Sequence, residues 1–123
     1  MNQLLILSPT LIALDATYLL IIKNYLNHQI KLVQGSPPTL NIFGAIGCYI
    51  CLIFVLYYFI IKRNSSILEA FLLGASIYGV YEFTNYATLR AWKITTVIMD
   101  TIWGGVLFAL TTYITRVFSR RFL

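Results

Sequence analysis

Acidic side chains are nearly missing from this sequence: there are four in 123 residues. Lys and Arg together number nine, and charged residues make up 11% of the chain, whereas a soluble domain carries about 25%. With 59% of residues hydrophobic, so few polar groups could not cover the surface of a water-soluble fold. Histidine occurs once, at His28, with no Cys or His beside it at ligand spacing, so neither a zinc site nor a Ser/His hydrolase is indicated. The only cysteines, Cys48 and Cys51, have C-x-x-C spacing but lie in an apolar stretch with no basic neighbour to activate a thiol. They read as small buried packing residues. Phosphate loops, G-x-S-x-G and H-E-x-x-H are all absent, and no cofactor is expected.

What the chain has instead is long apolar runs, with a mean hydropathy of +0.81. A membrane-spanning helix needs roughly 20 apolar residues, and four such runs use nearly the whole sequence. The expected fold is all-α: a bundle of four transmembrane helices with antiparallel neighbours, over 4–25, 40–61, 67–89 and 94–117, forming a single integral membrane domain over 1–123. Asn27 to Thr39 reads as a loop because Gly35, Pro37 and Pro38 end any helix; its Ile30, Leu32 and Val33 suit a membrane surface. Ser66 and Glu69 form a capping box that starts the third span. Trp92, in the turn after it, reads as an interfacial residue, as do Tyr25, Tyr57 and Tyr58. The first apolar run contains Asp15 and no Lys or Arg precedes it, so it reads as a retained helix and not as a cleaved signal.

The basic residues mark the ends of these runs and form no stripe, which argues for lipid headgroups and against nucleic acid. An even number of spans puts both chain ends on one side, with Lys62, Arg63, Arg116, Arg120 and Arg121; Lys23, Lys31, Arg90 and Lys93 fall on the other. Five against four leans toward cytoplasmic termini. Pairs of small residues, such as Ala70 with Gly74 and Gly104 with Gly105, suit close helix packing.

Glu69 is used as a cap. The other three acids, Asp15, Glu82 and Asp100, lie inside the apolar runs. A carboxylate near the bilayer centre costs about 2.5–3.5 kcal/mol even on the lenient insertion scale. At 1.5 Å of rise per residue, Asp15 falls near mid-span, Glu82 about 6 Å past the middle of the third span, and Asp100 about 8 Å before the middle of the fourth. Because the third and fourth spans run in opposite directions, all three acids fit one band of the membrane. Each has company at helical spacing: Tyr18 with Asp15; Tyr78 and Asn85 with Glu82, and Tyr81 and Thr88 at the margin; Thr96 and Trp103 with Asp100. Facing one another, these stripes would build a polar pocket without a basic residue at its depth. Such a pocket holds a proton or a small cation, or else the acids simply hydrogen-bond Tyr18, Tyr81, Asn85 and Trp103 to hold the bundle together.

These residues carry a resemblance. Tyr81-Glu82-Phe83-Thr84-Asn85-Tyr86-Ala87-Thr88 in the third span, Asp100-Thr101-Ile102-Trp103-Gly104 in the fourth and Leu14-Asp15 in the first resemble an uncharacterised family of small four-helix membrane proteins found in bacteria and large DNA viruses. Its pattern is Y-[DE]-x-T-N-x-A-T in helix 3 and D-x-x-W-G in helix 4. Glu82 stands where Asp is expected, one methylene longer, and Tyr18 where Trp is expected. The resemblance implies a four-helix membrane fold, no specific activity, and Asp15, Tyr81, Glu82, Thr84, Asn85, Asp100 and Trp103 as the motif residues.

Three functional readings follow. In the first, Asp15, Glu82 and Asp100 bind or pass a proton or small cation, oriented by Tyr18, Tyr81, Thr84, Asn85 and Trp103; four helices make a thin pore wall, which points to a homo-oligomer. The second is a structural or accessory scaffold, such as a viral internal-membrane component, whose basic tail Arg116 to Arg121 docks to lipid or a partner. The third, ranked last for want of a nucleophile or cofactor motif, is a lipid-modifying enzyme with Glu82 and Asp100 as acid and base.

Overall fold

The computed structural model describes residues 2–122 as helices joined by short connections. In order these are α1 (Leu4–Ile21), α2 (Lys23–Gln34), α3 (Ile42–Leu56, prolonged by a π-helical turn over Tyr57–Ile61), α4 (Ile67–Thr88) and α5 (Ile94–Phe122). Four of them are long and apolar enough to cross a membrane: α1, α3 with its π-helical turn, α4 and α5. Large hydrophobic side chains cover their outer faces, among them Leu5, Leu20, Phe43, Val80 and Tyr113, as a lipid solvent requires.

The stretch expected to be a loop is largely helical. α1 breaks at Ile22, where the chain turns polar at Lys23 and Asn24, and α2 continues from Lys23 to Gln34. Only then do the breakers act. Gly35 takes a left-handed φ of 79° and its N–H closes on the Lys31 carbonyl at 2.8 Å, which ends the helix as glycine does best. α3 starts at an Asn41 cap whose side chain accepts from the Gly44 N–H. The Ser66–Glu69 capping box starts α4 as expected. α5 runs on through Arg120 and Arg121 to Phe122, so the expected basic tail is the last turns of a helix.

α4 and α5 form the closest pair, and glycines are the reason. Gly74 lies against the Gly104 carbonyl, and the Phe71 ring lies over Gly105. Leu7 and Leu11 of α1, Leu52, Leu56, Ile60 and Ile61 of α3 and its π-helical turn, and Leu107 and Phe108 of α5 close the bundle into a core beside the 62–66 turn. Toward the other end, under α2 and the 89–93 turn, a cavity opens among the helices. There α3 packs on α1 but barely approaches α4. The expectation that Cys48 and Cys51 are buried is corrected here: both are exposed and free, and Cys48 lies at the edge of a cavity.

The π-helical turn carries the consecutive Ile60 and Ile61, both buried. The widened turn leaves carbonyls to satisfy. The Lys62 N–H bonds Tyr57 and the Ser65 N–H bonds Ile60; Ser65 Oγ donates to the Phe59 carbonyl at 2.9 Å. Arg116 of α5 reaches across and donates through Nη2 to the Ile60 and Ser65 carbonyls. Arg116→Leu is expected to lower stability by about 1–3 kcal/mol, since the Ser65 carbonyl loses its side-chain donor and the Ile60 carbonyl one of two donors. Thermal unfolding in detergent micelles reads this, with Arg116→Lys recovering part of the loss.

Candidate functional site

The open end of the bundle holds a cavity of about 440 Å³. Its apolar walls include Leu19 of α1, Leu26 and Ile30 of α2, Leu52 of α3 and Ile77 of α4. Asp15, Glu82 and Asp100 all line it, and no Lys or Arg is among its lining residues.

A continuous line of polar contacts crosses the bundle at this level. Tyr49 of α3 donates its hydroxyl to Asp15 Oδ2 at 2.7 Å. The Trp103 indole of α5 donates to Asp15 Oδ1 at 2.9 Å. The Trp103 ring stacks flat on Tyr18, with centroids 4.4 Å apart and planes 6° from parallel, and the Tyr18 hydroxyl donates to Asp100 Oδ1 at 2.6 Å. Beside Asp100, within hydrogen-bonding reach, lies the Glu82 carboxyl, which accepts from the Trp92 indole at 2.9 Å. The acids are thus not one symmetric cluster. Asp15 has a donor on each oxygen and acts as a brace, whereas Glu82 and Asp100 are a carboxyl pair in contact. Among the described residues no set of three Asp, Glu, His or Cys side chains is grouped to hold a metal ion.

The supporting residues divide. Tyr18 and Trp103 do what their spacing suggests. Tyr81 lies on the cavity rim with its ring largely exposed. Thr84 turns away, its hydroxyl bonded to the Val80 carbonyl at 2.6 Å. Asn85 is half-buried on α4 with no described bond to the acids.

Other site residues escape the sequence reading. Trp92 is buried and turned inward onto Glu82, not out to the interface. Tyr49 is the one hydroxyl-bearing residue of Ile42–Leu56, a signal that was there to be read. Gln29, only 1% exposed, ties α2 to the 89–93 turn: its Nε2 donates to the Ala91 carbonyl, and its Oε1 accepts from the Lys93 N–H and Thr96 Oγ1. Tyr25 is drawn into this knot, 2.9 Å from Thr96 Oγ1. Gln29 thereby holds α2 as one wall of the cavity.

No curated protein and no solved structure matches the chain. A family model described as predicted membrane protein, DUF2177, matches residues 1–117, which include every acid, indole and phenol of this site. With four helices able to span a bilayer and a match over nearly its whole length, the chain belongs to the DUF2177 family of membrane proteins.

Proposed function

We propose that Glu82 and Asp100 form an intramembrane carboxyl pair that takes up and releases a proton, and that through this pair the protein binds and passes protons, with a small cation as the competing occupant. The observation that carries the reading is the contact between the two carboxyls in a cavity without a basic lining residue. Two adjacent carboxylates repel in a medium of low dielectric, and one shared proton turns the repulsion into a hydrogen bond. Among the described residues there is no three-ligand grouping, which favours the proton over a metal ion. Trp92 and Tyr18 hold the two acids from opposite sides, and Asp15 positions Tyr18 through the stacked Trp103. We take the passing of protons to involve more than one copy of the chain, since four helices make a thin pore wall, and the termini to face the cytoplasm on the five-to-four basic balance.

The test is proton and cation flux into proteoliposomes under an imposed gradient, on variants first shown to be helical and monodisperse. Glu82→Gln and Asp100→Asn are expected to fall to the level of empty liposomes, while Asp15→Asn retains part of the flux. No flux from the wild-type protein over several ions and pH values would transfer the assignment to a membrane scaffold whose acids serve only to brace the bundle.

A further inference from the structure

We propose that the cavity receives a membrane-soluble organic ammonium ion, which enters from the lipid between α3 and α4 and seats its charged end against Glu82 and Asp100. The inference rests on the carboxyl-pair reading above and names what exchanges with the proton.

Four observations support it. The volume, about 440 Å³, lies within the range of small-molecule sites, roughly 300–1,000 Å³, and far exceeds what a bare cation occupies. The walls are chiefly apolar, a poor exchange for water around an inorganic ion but a match for the hydrocarbon of an organic one. Tyr78, Tyr81 and Trp92 bring aromatic rings to the same space, and ring faces attract quaternary and protonated amines, by about 2 kcal/mol or more once water is excluded. Finally, Glu82 is 1% exposed and yet lines the cavity. Its Oε1 accepts from the Trp92 indole, and its carboxyl otherwise faces Asp100 and the cavity. A buried carboxyl pair facing a cavity with no basic lining residue calls for a positive charge.

The route follows from the packing. α3 and α4 scarcely touch at this level, and the residues flanking the gap, Cys48 on α3 and Tyr81 on α4, are exposed while lining the cavity. A ligand dissolved in the bilayer reaches the acids without crossing water. On binding, the O–H bond of the shared carboxylic acid breaks, its proton leaves to solvent, and the ammonium takes its place as counter-charge, so one positive charge enters for each that departs.

The protein in phosphatidylcholine nanodiscs would be titrated with benzyltriethylammonium, with uncharged benzyl alcohol as comparator. Emission from the two tryptophans reports occupancy, and a pH dye in weak buffer reports protons. The expected result is saturable quenching by the cation alone, one proton released per site, and weaker binding as pH falls. Glu82→Gln, which keeps an acceptor for Trp92, should abolish binding. Leu26→Phe, which narrows the cavity, should weaken it about tenfold. Equal quenching by benzyl alcohol, or unchanged binding in Glu82→Gln, would overturn the proposal. Proton flux with no cation binding would overturn it while leaving the proton reading in place; absence of both would remove the two together.

Discussion

Replacing Gly74 by alanine is expected to cost about 3 kcal/mol, the upper end of what overpacking does. The added methyl would overlap the Gly104 carbonyl oxygen and come within 2.7 Å of Phe108 Cγ. A side chain could rotate aside, but a backbone carbonyl cannot, so α4 and α5 must separate along the interface that holds the bundle together. Gly104→Ala meets the same obstacle from the other side, at 2.6 Å from the Gly74 carbonyl oxygen, and also strikes the Tyr78 ring. Because Tyr78 lines the cavity, this second substitution should disturb the site as well as the packing. Gly47→Ala is the control: nothing lies within 4 Å of its new methyl, and alanine favours the helix by about 1 kcal/mol. Thermal unfolding in detergent should order the variants as Gly47→Ala at or above wild type and Gly74→Ala and Gly104→Ala far below it.

The second large effect is expected at Asp15. Asp15→Leu leaves the Tyr49 hydroxyl and the Trp103 indole without their acceptor. Hydrogen bonds to a charged group contribute about 1.5–3 kcal/mol each, so a loss of about 3–5 kcal/mol is expected. Asp15→Asn is far milder. Its carbonyl still accepts from Trp103, while its amide donates to the Tyr49 oxygen, since a hydroxyl can reverse its role and an indole cannot. Tyr49→Phe removes only one bond and should fall between. If Asp15→Leu were as stable as the wild type, the brace assigned to Asp15 would be wrong. In the folded Asp15→Asn variant, an altered tryptophan emission with retained proton flux separates the brace from the carboxyl pair.

The division between these two kinds of acid is where sequence and structure part. The depth calculation puts Asp15, Glu82 and Asp100 in one band from residue numbers and helical rise alone, and the cavity is lined by all three. The periodic faces also pick out Tyr18 and Trp103, because residues spaced by three or four share a side of a helix. Nothing in that pattern says which acid meets which donor. Tyr49 joins Asp15 across 34 positions of sequence, and Trp103 joins it across 88. Such pairings depend on how each helix is rotated about its axis, and the glycine contacts fix that rotation only between α4 and α5.

Hydropathy by itself determined the four spans, their alternating direction and the burial of acids within them, because in a bilayer each helix must satisfy its own backbone and cover itself with apolar side chains. Capping by Ser66 and Glu69 was equally local and equally legible. α2 was not, because its sequence is too polar to span and its helix is held by Gln29 bonding to a turn more than sixty residues away. The inward turn of Trp92 and the exposure of Cys48 and Cys51 share that origin. An aromatic ring at a membrane boundary, or a thiol on an apolar helix, has the same local sequence whether it faces lipid or a neighbouring helix. Only the packed bundle, closed at one end by its core and open at the other, decides which.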